Sequence, residues 1–97
     1  MDWEKQLSKY EGSPIRIWIE DRSGEEQTQP KPFTLYKVQQ SVSQDYIQFF
    51  LNPTQFLSVP IFEGEQTIID YSDSERWFVS HDIEAKLLYW VYLDKQI

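Results

Sequence analysis

The chain predicts a mainly β fold: a small antiparallel barrel or strongly bent sheet of five to seven strands, preceded by a short N-terminal helix. Three observations carry this. Apolar and polar residues alternate with period two in successive short runs, the pattern of strands that bury one face. Nearly every run ends on a turn signal built from Gly, Pro, Asn or Asp. Helical periodicity marks the first dozen residues.

The elements follow in order. Trp3, Leu7 and Tyr10 recur at i, i+4 and i+7, so a helix is expected over 2–11. Asp2 can cap its start, Gly12 can supply a left-handed stop, and Pro14 prevents continuation. So short a helix is marginal alone and must lay its apolar stripe on another element. In the first strand, 14–21, Ile15, Ile17 and Ile19 alternate with Arg16, Trp18 and Glu20, which puts Trp18 on the polar face. Residues 21–32, with Gly24, Pro30 and Pro32, read as a loop.

A second strand is expected over 33–39 and a third over 46–51, where Ile47, Phe49 and Leu51 share one face and Tyr46, Gln48 and Phe50 the other. After the turn Asn52-Pro53-Thr54 comes a fourth strand over 56–62. Its Pro60 cannot donate a ladder hydrogen bond and places it at an edge or bulge. Turns at Glu63-Gly64-Glu65 and Asp73-Ser74 bound strands over 66–71 and 76–80. The last segment, 85–93, fits a strand or a helix capped by Asp82. Tyr89-Trp90-Val91-Tyr92 is aromatic and β-branched, which favours the strand. This order is compatible with a small SH3-like or Sm-like barrel, an analogy of architecture that carries no function. The chain lacks the Gly-centred strand motifs and basic loop of those families.

Length and composition bound the function. Ninety-seven residues make one domain, 1–97, and four Trp, six Tyr and six Phe give it large core units. There is no Cys, so no disulfide or thiolate site. Asp2 and Glu4 follow Met1, so no signal peptide is expected, and the longest apolar run, Leu87–Leu93, is far short of the roughly 20 residues a membrane helix needs. A cytoplasmic protein of bacterial type, with no membrane partner, is expected. Sixteen acids against nine bases give a net charge of −7, which disfavours nucleic acid, whose backbone is bound mainly by Lys and Arg. The charge is concentrated. Residues 63–84 hold seven acids and one base, a net of −6, interrupted by Ile68, Ile69, Trp77 and Phe78, which read as core.

No catalytic constellation emerges. Ser80-His81-Asp82 contains the residue types of a hydrolytic triad, but consecutive strand residues point alternately up and down and cannot converge. Asp70, Asp73 and Glu75 can approach across a turn, yet the segment lacks the Gly and the spacing of a calcium loop. The three Gly are too dispersed for a phosphate cradle. No enzyme activity, cofactor or metal is expected. The aromatics remain. Trp18 falls on a strand face whose other members, Arg16 and Glu20, are polar, Trp90 and Tyr92 share a face with Lys86 and Leu88, and Trp and Tyr are favoured interface anchors. The expected function is a non-catalytic protein–protein interaction module, docking an aromatic strand face or an open strand edge on a protein partner or on its own copy. Trp18, Trp90 and Tyr92 form the patch, and Glu63, Glu65, Asp70 and Asp73 the rim that steers a basic partner. The alternative is a small apolar-ligand binder with an aromatic-lined pocket.

Overall fold

The computed structural model describes residues 2–21, 31–72 and 75–93. It is mainly β, with one short N-terminal helix and two antiparallel sheets. Helix α1 spans Trp3–Leu7 and runs into a 3-10 turn, Ser8–Tyr10. The Asp2 carboxylate accepts the Lys5 amide at 3.0 Å, and Gly12 takes φ +89°. Trp3, Leu7 and Tyr10 are all buried, so the stripe that defines the helix is also its anchor.

Among the described residues eight strands follow: β1 (Pro14–Asp21), β2 (Lys31–Thr34), β3 (Lys37–Gln40), β4 (Tyr46–Asn52), β5 (Gln55–Pro60), β6 (Thr67–Ser72), β7 (Glu75–Asp82) and β8 (Leu87–Leu93). The first sheet has the order β2-β1-β8-β7-β6 and the second β3-β4-β5. Both are open, and no barrel closes among the described strands.

The run 33–39, expected as one strand, is two strands in two sheets. Leu35 exchanges hydrogen bonds with the segment before β1: its amide donates to Ser13 and its carbonyl accepts from Gly12. The next residue, Tyr36, donates instead to Phe50 of β4. The chain therefore crosses between sheets at Leu35-Tyr36. The crossing lets Leu35 and Val38 both reach the core, which one strand of period two forbids for residues three apart. The segment 85–93 begins its strand only at Leu87. Asp82 caps a turn, not a helix: its carboxylate accepts the Ala85 amide at 3.1 Å, and Lys86 closes the turn at φ 58°.

The inner faces of both sheets share one core. Ile15, Ile17, Phe78, Val91 and Leu93 from the first sheet meet Val38, Ile47, Phe49 and Val59 from the second, and Trp3 and Leu7 close one side. Phe78 lies at its centre, with Trp3 edge-on at 5.3 Å and Phe49 at 5.9 Å between ring centroids. Burying such a side chain contributes about 1.5–3 kcal/mol.

One polar chain crosses this core. The Phe62 amide donates to Thr67 Oγ1 at 2.8 Å, Thr67 Oγ1 and Ser80 Oγ are 2.9 Å apart, and Ser80 Oγ donates to the Pro60 carbonyl. Because the one Ser80 hydroxyl proton is used on Pro60, Thr67 must be the donor between the two hydroxyls. The relay ties the end of β5 to β6 and β7 and leaves both buried hydroxyls satisfied.

Candidate functional site

Strand alternation gives the first sheet two very different faces. Ile15, Ile17, Phe78 and Val91 point into the core, so Arg16, Trp18 and Glu20 of β1, Glu75, Trp77, Val79 and His81 of β7, and Leu88, Trp90 and Tyr92 of β8 point to the other face. Register brings the aromatics together. Trp18 lies directly across from Trp90, and Trp77 across from Tyr92. Trp18 and Trp90 are stacked, with interplanar angle 12° and centroids 5.9 Å apart. Trp77 stands perpendicular to both, at 5.2 Å from Trp18 and 5.8 Å from Trp90, and lies 4.8 Å from Tyr92. All four are partly buried, and much of that cover comes from one another. The Trp90 indole N–H is enclosed with no hydrogen-bond partner among the described residues, and its ring packs against those of Trp18 and Trp77.

Carboxylates border the cluster. The Trp77 indole N–H donates to Glu75 at 3.3 Å, and Asp70 of β6 is the cross-strand partner of Trp77. Glu20 lies on the same face two residues beyond Trp18, and Arg16 sits opposite Tyr92. A face with aromatic rings at the centre and a carboxylate majority at the margin suits a cation, since ring faces and carboxylates both attract positive charge.

Trp18, Trp90, Tyr92 and Asp70 thus share this face. Glu63 does not join them: it is exposed and borders an open depression of about 710 Å³ beside Trp3, Gln40 and Ile61. Glu65 is exposed in the 3-10 turn Gly64–Gln66 before β6, and Asp73 lies outside the described residues. Trp77, read from the sequence as core together with Phe78, is a correction. Neighbouring strand residues cannot both point inward, and Phe78 takes the core. Ile68 is likewise not core, at 39% exposure. The usable signal was the alternation Glu75, Trp77, Val79 against Arg76, Phe78, Ser80.

Other groups are accounted for by structure. Ser80 is fully buried in the polar relay, while His81 lies on the opposite face of β7. Burial raises the Tyr89 phenol above its ordinary range, with Asp82 and Tyr46 adding to the shift. Among the described residues no three His, Asp or Glu side chains come together as a metal site, and no helix is long and apolar enough to cross a membrane. Comparison with known proteins yields nothing: no family model, no curated protein and no solved structure matches this chain.

Proposed function

We propose that this chain is a non-catalytic interaction module that docks the outer face of β1, β8 and β7 on a basic segment of a protein partner. The observation that supports it is the cluster of Trp18, Trp77, Trp90 and Tyr92 on the sheet face opposite the core, bordered by Glu75 and Asp70. Large, rigid aromatics supply contact area at low entropic cost, and Arg on an indole face adds a cation–π term of about 0.5–2 kcal/mol. A cytoplasmic setting belongs to the same proposal and rests on the absence of Cys.

The rival, a small apolar ligand, has less behind it. The depression beside Trp3 mixes Ile61 and Phe62 with Gln40, Gln44, Asp45 and Glu63, and the clustered indoles line no part of it.

The test is a titration of the labelled chain with two short peptides, one carrying Arg and Lys and the other carrying Glu at the same positions. The indole N–H resonances of Trp18, Trp77 and Trp90 are followed at low and at physiological salt. The proposal expects them to move with the basic peptide only, more at low salt, and to move less in Asp70→Asn and Glu75→Gln. Indoles indifferent to the basic peptide, or equally responsive to both peptides, would sink it.

A further inference from the structure

The second sheet carries a different surface, and the geometry points to a two-fold dimer formed by β5 pairing with β5 of a second copy. Residues 46–62 contain no charged side chain, in a chain whose net charge is −7. Within the second sheet only Lys37 is charged, and its ammonium lies over the Phe50 ring at 4.5 Å. Exposed large apolar groups gather on the same sheet: Tyr46, Leu51, Phe56 and Leu57.

The two edges of this sheet are treated differently. The Ser41 amide donates to Tyr46, which fixes the alternation of the β3–β4 ladder. Val38 and Gln40 therefore turn their amides outward, and both are capped: Val38 donates to Glu11 at 2.8 Å and Gln40 to Glu4 at 2.7 Å. The N-terminal segment closes that edge. On the other side the same alternation has Ile47 and Phe49 of β4 bonding to Val59 and Leu57, so Phe56 and Ser58 present N–H and C=O to the outside. Both are exposed.

A second copy is the occupant this edge suits. Near a two-fold axis each residue faces itself or a close neighbour, so any charge there meets its own like. A strongly acidic chain can self-associate most easily through a stretch that has no charge. Antiparallel pairing places Leu57 opposite Leu57 of the second copy on the axis, and Phe56 opposite Ser58 of the second copy on either side. The outward N–H and C=O of Phe56 and Ser58 are then the groups that an antiparallel pair exchanges. The ladder stops by itself. Pro60 has no amide and its carbonyl is held by Ser80, while the Thr54 amide is held by Asn52. Neither outer edge of the first sheet matches this: β6 carries Asp70, and β2 is four residues long and contains Pro32. So short a ladder makes a small interface and a dimer that dissociates on dilution.

Sedimentation of the full chain from roughly 5 to 500 μM covers the range expected for such an interface. The mass should rise from monomer to dimer and stop there. Leu57→Lys sets two like charges on the axis. Ser58→Pro removes an outward amide without touching the β4 ladder. Each folded variant, checked by circular dichroism, should remain monomeric. In the wild type, exchange protection of the Phe56 and Ser58 amides should increase roughly fivefold when the total chain concentration is about ten times the dissociation constant. A wild type that is monomeric throughout, an assembly that grows past the dimer, a folded variant that still dimerises, or Phe56 and Ser58 amides whose protection ignores concentration would each overturn the dimer. The amide measurement decides even if a variant does not fold.

Discussion

Trp18 and Trp77 stand on strands that are not neighbours, yet their rings meet edge to face at 5.2 Å across the strand between them. They bridge β8 with Trp90, so three strands carry a continuous aromatic surface on the side away from the core. Trp77 and Phe78 are adjacent in sequence and opposite in role. Phe78→Ala should cost about 3–5 kcal/mol, because it opens a cavity beside Trp3 and Phe49. Trp77→Ala should cost about 1–2 kcal/mol, the loss of partly exposed ring contacts. Urea denaturation of the two variants checks this, and equal losses would make Trp77 a core residue.

Ser80 is expected to matter for stability alone. Ser80→Ala strands the Thr67 hydroxyl and the Pro60 carbonyl in the core and should cost about 1–3 kcal/mol. His81→Ala, on the other face of the strand, should stay within about 0.5 kcal/mol. Thermal melts of both variants give the comparison, and a harmless Ser80→Ala would mean the relay contributes little.

The capped edge of β3 should be exposed by removing its acids. Glu4→Ala with Glu11→Ala leaves the Val38 and Gln40 amides without their acceptors, for about 1 kcal/mol each. The freed edge is then a pairing template, so light scattering should show association beyond the dimer in the double variant and not in the wild type. No change in particle size would show that another feature protects this edge.

Alkaline pH should destabilise the fold through Tyr89. Its folded-state pKa is raised, first by burial and then by Asp82 and Tyr46, so the native state holds the proton more tightly than the unfolded chain does. The full stabilisation is present below the unfolded value of about 10 and is lost as pH rises through the folded value. Tyr89→Phe should flatten this alkaline decline in stability. An unchanged slope in the variant would assign the decline to other groups.

Much of the fold is legible in the chain because it depends on neighbours in sequence. Trp3, Leu7 and Tyr10 define the buried stripe and Asp2 its cap, all within one short stretch of chain, although the α-helix expected over 2–11 ends at Leu7 and passes into a 3-10 turn, Ser8–Tyr10. Ile15, Ile17 and Ile19 likewise separate the two faces of β1 through local period two. Segment 33–39 fails the same reading because its break depends on remote partners: Ser13 holds Leu35, and Phe50 takes Tyr36. Asp82 caps in either reading, and only the cross-strand pairing of Leu87–Leu93 with β1 and β7 selects the strand.

By itself the sequence determined the β class, the N-terminal helix, the concentration of acid in 63–84 and the polar-face placement of Trp18, since each follows from composition or from a local period. Only the tertiary structure decided that Trp18, Trp77, Trp90 and Tyr92 form one surface, that Glu63 stands apart from it, and that β3 is closed by Glu4 and Glu11 while β5 stays open. Those facts depend on strand order and register, which are set by how two sheets and a helix bury their apolar faces together, and no local stretch of the chain encodes that choice.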